Sequence, residues 1–182
     1  LLLAGTALGT FFLSLSSLIG ILGNRSQELA FWVAGGFKSI TWGHVWLLLF
    51  AGGISLILFF FLAGSINILS LGDEAATGLG VRPERIRLWS ILLLIPVCAV
   101  CVASAGNIAF VGLVIPHMIR KIFDNDYRRM IPLSFLGGSV LMVWADLAAR
   151  LANQPYETPV GLFTSILGVP VFLWLIRKEQ SR

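Results

Sequence analysis

Charge is what this sequence has least of. Only 12% of its 182 residues are Asp, Glu, Lys or Arg, about half the share usual in a soluble domain. Hydrophobic residues make up 57% and mean hydropathy is +0.90, which excludes an ordinary water-soluble globule. Cysteine is nearly missing as well. Cys98 and Cys101 stand three apart in an apolar run with no second pair, so they read as packing residues rather than as a redox pair or half a metal site. His44 and His117 are the only histidines, and neither has a second His, Cys or acid at ligand spacing. GxxxxGK[ST], HExxH and GxSxG are all absent. Neither ATP binding nor catalysis is therefore expected of this chain, and no catalytic residue, metal or cofactor is assigned to it.

What is present is hydrocarbon, in runs near the 20 residues that cross about 30 Å of bilayer core. Segments near 1–23, 44–64, 88–105, 106–122, 131–152 and 159–176 predict an all-α, polytopic transmembrane bundle forming one domain over 1–182. The opening LLLAGTALGTFFLSLSSLIGILG has no basic flank and no clear cleavage site, so it reads as a membrane helix rather than a signal peptide. With no initiator Met, the chain is expected to start inside a longer protein.

The cations set the orientation. Arg82, Arg85, Arg87, Arg120, Lys121, Arg128, Arg129, Arg177, Lys178 and Arg182 fall on one side, and only Arg25, Lys38 and Arg150 on the other. Lys and Arg accumulate on the cytoplasmic side, so the first set and both chain ends face inward. Trp42 and Trp46 then mark an outer boundary, and Trp89 and Trp174 an inner one. The outer loop 24–43 predicts a short interfacial helix over Gln27–Ala34, ended by Gly35-Gly36. Gly5 and Gly9, Gly137-Gly138, and Gly161 with Gly168 suit close helix packing in lipid. The fourth segment, GNIAFVGLVIPHMIRKI, opens on Gly-Asn and contains Pro116. The carbonyls that a broken helix frees must be shielded by protein or face a wet cavity, which favours a transporter over an anchor.

One polar insert interrupts this pattern on the inner side: SLGDEAATGLGVRPERIR, residues 70–87. Ser70 is a plausible N-cap, Asp73 and Glu74 suit a first turn, and Gly78 a stop. A second short helix is expected at Pro83, a natural first helical position. By composition alone, a rigid knob and a plain solvated loop both remain open.

The motifs NxLSLGDEAATGLGV, GNIAFVGLVIPHMIR, WADLAAR and ETPVGLFTSILGVPVFLWL, in that order across essentially the whole chain, resemble the permease family of ABC importers for ferric siderophores, haem and cobalamin. That family has about ten membrane helices, and this chain resembles the C-terminal six. The resemblance implies that 70–87 is a coupling-helix insert docking on an ATP-hydrolysing subunit through Leu71, Gly72, Asp73, Glu74, Ala75, Ala76, Leu79 and Gly80. It implies that Arg150 faces a substrate-binding protein, and that Thr6, Gly9, Ser14, Thr164 and Leu167 line the translocation path. Implied partners are a second permease, identical or related, two cytoplasmic ATP-binding subunits, an extracytoplasmic binding protein and the lipid of a bacterial inner membrane, with no nucleic acid. Pro116, His117 and Arg120 match a family motif expected beside the ATPase. The family usually has Gly-Pro-Ile-Gly-Phe at Gly106–Phe110 and Glu-Leu-Pro at Glu157–Pro159. Its inner gate maps before this chain's first helix.

Asp146 is the only acid within a predicted span, four residues before Arg150. The spacing predicts an i,i+4 ion pair, and intramembrane acids are usually paired. Asp146 is thus expected to orient Arg150, with a proton-relay role as the sharper alternative. An ion-coupled secondary transporter is the rival function. It calls for several intramembrane ionisable groups, and Asp146 alone qualifies. A membrane hydrolase acting through His117 or Asp146 is the second rival.

Overall fold

The computed structural model describes residues 2–38, 40–123, 125–152 and 158–180. Described residues form an all-α bundle: α1 (Leu2–Leu22), α2 (Ser26–Ala34), α3 (Trp42–Leu69), α4 (Asp73–Gly78), α5 (Pro83–Ala105), α6 (Val111–Ile122), α7 (Tyr127–Ala152) and α8 (Val160–Gln180). Glu157 and Arg182 lie outside the described residues, and Lys178 is described only as part of the α8 backbone.

Among the described residues four helices are long and apolar enough to cross a membrane: α1, α3, α5 and α7. The apolar part of α8, Val160–Trp174, is shorter. The expected fourth span, 106–122, is not a full helix. Residues 106–110 are non-helical and α6 has only 12 residues, a rise of about 18 Å. Asn and Gly at its start do not hold a helix, and chain direction is reset at Phe110, whose φ is +68°. Non-helical backbone at membrane depth must be covered by protein. Here Gly106 is buried, and Ile108 packs into a cluster of Ala145, Ala149 and Val160 with Phe37, Met142 and Phe163.

The second, third and fifth segments are longer than the hydropathy suggested, because their helices run into the inner polar boundary. α3 continues to Leu69, α5 starts at Pro83 and α7 at Tyr127. Two expectations for the insert are corrected by this. Ser70 is the C-cap of α3, its hydroxyl donating to the Asn67 carbonyl at 2.7 Å, while Gly72 precedes α4. Pro83 opens the membrane helix α5 itself, so PERIR is not a second separate helix.

α3 packs between α5 and α7, and α6, α7 and α8 form a second group sharing α7 with the first. α2 lies across the outer end and joins α1 to α8. The outer ends of α2, α5 and α8 meet backbone to backbone. Gly36 N–H donates to the Ala105 carbonyl at 2.9 Å and Gly161 N–H to the Gly35 carbonyl at 3.0 Å. A Cβ on Gly106 would sit on the Trp32 carbonyl, and one on Gly161 on the Ala34 carbonyl. Only glycine permits that approach. At the inner end, the Asn67 side chain of α3 donates to Asp126 Oδ1 at 2.6 Å and accepts the Tyr127 N–H at 2.8 Å, fixing the start of α7.

Candidate functional site

The inner site is built around α4. The six-residue helix stands between the ends of α3 and α5, with Asp73 and Glu74 in its first turn. Its far end closes through Leu79 N–H to the Ala75 carbonyl and Val81 N–H to the Ala76 carbonyl at 2.9 Å. Asp73 Oδ1 accepts from Arg87 Nη2 at 2.8 Å, with both side chains about half exposed. A pair so exposed contributes about 0–1 kcal/mol, so its effect is to orient α4 on the first turns of α5.

The eight residues expected to contact a partner do not all face outward. Leu71 and Leu79 are 67% and 63% exposed; Gly72, Asp73, Glu74, Ala75 and Gly80 are exposed too. Ala76 is fully buried. It packs the helix onto the bundle and is withdrawn from any contact surface, because a helix this short must bury one side to be held. Two exposed leucines flanking a fixed helix that carries two acids make a small amphipathic knob.

The latch beneath this knob went unnoticed in sequence. Asp126 caps α7 through the Arg128 N–H at 3.0 Å as well as accepting from Asn67. The Asn67 hydrogen bond holds its carboxyl below the usual range, helped by the Arg128 N–H and the charges of Arg128 and Arg129. The available signal was a lone Asn at the end of an apolar run, followed 59 residues later by an acid one residue before a helix. His117 is half-buried within α6, Arg120 is exposed, and Lys121 Nζ stacks 5.5 Å from the Trp174 ring. Among the described residues no group of three His, Cys, Asp or Glu is placed to hold a metal.

At the outer end the expected pair is formed. Arg150 Nε donates to Asp146 Oδ2 at 2.8 Å, with side chains 65% and 29% exposed. The pair borders a hollow of about 200 Å³ that also takes in Phe31, Lys38 and Thr158. Lys38, 5.5 Å over the Phe31 ring, brings a second cation to the site. The sequence placed Lys38 outside but gave no reason to bring it near Arg150. The approach depends on the glycine contacts that fold the 24–43 loop inward.

The residues expected along a path are not brought together within this chain. Thr6, Gly9 and Ser14 lie exposed on α1, which packs on α2 and has no substantial packing on α8. Thr6 Oγ1 donates to the Leu3 carbonyl at 3.0 Å and Thr164 Oγ1 to the Gly161 carbonyl at 3.1 Å. Thr164 is only 3% exposed, at the wall of a partly open apolar pocket of about 270 Å³ between α6, α7 and α8. Leu167 is 53% exposed. Thr164 is thus buried within the chain, while the others lie on its exposed surface.

Comparison with known proteins places this geometry. The FecCD transport family matches residues 1–178. The iron(3+)-hydroxamate import system permease protein FhuB of Bacillus subtilis is 47% identical over 99% of this chain and 47% of its own length. The Fe(3+) dicitrate transport system permease protein FecD of Escherichia coli is 38% identical over 97% of this chain and 56% of its own. A solved ABC transporter assigned to the metal-chelate type, in an inward-facing conformation, superposes with a TM-score of 0.87 at 28% identity. That match covers 97% of this chain and 58% of that one. The chain spans about half the length of the curated relatives it matches.

Proposed function

Because the chain belongs to the FecCD transport family, we propose that it is the C-terminal part of a permease subunit in an ATP-driven importer for an iron chelate. Relatives named for hydroxamate and dicitrate complexes of Fe(3+) make a ferric chelate the favoured cargo, ahead of haem or cobalamin. A path with few fixed charges suits a bulky chelate, and Asp146 within the spans is engaged with Arg150. The ion-coupled alternative has little to work with here.

The observation that carries the coupling is α4. A membrane bundle gains nothing from a rigid helix flanked by two exposed leucines on its polar inner rim unless another protein covers it. In this reading two cytoplasmic ATP-binding subunits seat α4 of each permease, and their closure moves the knob. That movement reaches α5 through Asp73–Arg87, and α7 through Asn67–Asp126 at the end of α3. A second permease completes the path between α1, through Thr6, Gly9 and Ser14, and the exposed face of α8 at Leu167. Arg150, oriented by Asp146, meets an acidic group on an extracytoplasmic binding protein, with Lys38 beside it. The assembly sits in the bacterial cytoplasmic membrane as a multi-pass protein.

The test is a crosslink in the full-length parent protein. With Cys98 and Cys101 replaced by Ser and a single Cys at Ala75, membranes from the native host are treated with a bifunctional reagent. An adduct to an ATP-binding subunit that changes with nucleotide is the expected result. Free labelling of the Cys from the cytoplasm without capture of such a subunit sinks the coupling role and brings the ion-coupled reading forward.

A further inference from the structure

A second inner-rim feature lies apart from the α4 knob. A hollow of about 440 Å³ opens between the inner ends of α3 and α5, lined by Ser65, Gly80, Val81, Arg82, Arg85 and Ile86. Its polar groups are unspent. Among the described residues neither the Arg82 nor the Arg85 guanidinium has a hydrogen-bond or ion-pair partner, and the Ser65 hydroxyl makes no hydrogen bond. The neighbouring Arg87, by contrast, is engaged with Asp73. Glu84 lies between the two arginines in sequence but does not line the hollow.

What lies below the hollow matters as much. Phe61, one helical turn toward the membrane centre from Ser65 on α3, is 77% exposed, and Trp89, one turn on from Arg85 on α5, is 57% exposed. Residues four apart share a helix face. The two helices, packed on each other, therefore present a basic, hydroxyl-bearing recess at headgroup level directly above an exposed aromatic face that starts at the membrane boundary and runs toward the acyl chains. The cation bias sets this end in the cytoplasmic leaflet, where anionic lipids concentrate negative charge.

We propose that this recess binds the headgroup of an anionic phospholipid from the cytoplasmic leaflet. Arg82 and Arg85 take the phosphate, the Ser65 hydroxyl donates to a headgroup oxygen, and the acyl chains lie along Phe61 and Trp89. Arginine suits the role because its planar fork pairs bidentately with phosphate oxygens. The site depends on the orientation alone, not on what the protein transports.

The full-length parent complex, purified in detergent and stripped of lipid, is titrated with dioleoyl phosphatidylglycerol or dioleoyl phosphatidylcholine, and bound lipid is counted by native mass spectrometry. We expect phosphatidylglycerol to be retained at about tenfold lower concentration than phosphatidylcholine. The Arg82→Gln/Arg85→Gln pair removes that preference, Arg82→Lys/Arg85→Lys keeps part of it, and Arg177→Gln elsewhere on the inner rim leaves it unchanged. Three results overturn the proposal: undiminished phosphatidylglycerol retention in the Gln pair; displacement of the lipid by millimolar inorganic phosphate, which makes this a free-anion site; or loss of an ATP-binding subunit from the Gln pair with lipid retention intact, which gives the arginines to a protein contact.

Discussion

Asn67, near the end of α3, and Asp126, at the start of α7, are joined side chain to side chain at 2.6 Å across 59 residues of sequence. The same Asn accepts the Tyr127 N–H, so one amide side chain sets both the cap and the first turn of the neighbouring helix. Asn67→Ala removes both bonds and leaves the Tyr127 N–H without its partner. The unfolding midpoint of the detergent-solubilised full-length protein is expected to fall by about 2–4 °C. Limited proteolysis should show earlier cutting between α6 and α7, where the latch holds the chain.

The latch is also an acid-sensitive element. The Asn67 hydrogen bond, then the Arg128 N–H and the flanking guanidinium groups, lower the Asp126 carboxyl from its ordinary value. A carboxylate lowered in the fold stabilises it fully above its unfolded value, about 4, and loses that contribution as pH falls through the lower folded value. The difference in unfolding midpoint between the parent and Asp126→Asn should be constant above about pH 5 and shrink below about pH 4. A difference that grows on acidification contradicts the assignment.

The outer glycine contacts set the tolerance of the fold. Gly106 has φ +74°, and a Cβ there meets the Trp32 carbonyl, so Gly106→Ala combines backbone strain with a backbone collision. Its cost is expected to be on the order of 3 kcal/mol or more, read as loss of folded protein in membranes. Gly9→Ala is the control. Nothing lies within 4 Å of a Cβ at Gly9, and the change should stay within about 0.5 kcal/mol.

The proposed docking role of the Asp146–Arg150 pair can be read apart from stability. At 65% and 29% side-chain exposure it contributes little to folding, so Arg150→Gln should alter the unfolding free energy by about 0.5 kcal/mol or less. Capture of the extracytoplasmic binding protein should nonetheless weaken by about tenfold, the usual scale for losing one interfacial charge pair. Asp146→Asn should weaken it less, because the arginine remains but loses its fixed direction. Unchanged capture in both variants reduces the pair to a helix-surface contact.

Hydropathy and cation placement located the helices because lipid selects for apolar length and for positive charge inside, and both are local properties of the chain. They misplaced the fourth crossing because hydropathy does not register backbone conformation: GNIAF is as apolar as a helix, yet it is non-helical, shielded by α2, α7 and α8. They likewise cut α3, α5 and α7 short, since polar first and last turns score as loop. The Asp146–Arg150 pair was legible because both partners lie on one helix. Asn67–Asp126 and the approach of Lys38 to Arg150 were not, since each depends on packing between elements distant in sequence.

Within α4, two adjacent alanines should behave oppositely. Ala75 is exposed and Ala76 fully buried, one facing the cytoplasm and the other the ends of α3 and α5. Ala76→Leu adds three carbon atoms to a closed contact and should cost about 1–3 kcal/mol, lowering the unfolding midpoint whether or not any partner is present. Ala75→Trp adds more bulk, but into open space, and should leave the isolated permease unchanged. Its effect should appear only on assembly, as loss of the co-purifying ATP-binding subunit and of ATP-dependent uptake of a ferric chelate. Co-purification and unfolding measured on the same two variants decide the matter. If Ala75→Trp retains the subunit, the knob is not the docking surface. If instead it lowers the unfolding midpoint as Ala76→Leu does, α4 is held in the bundle by more than its buried face.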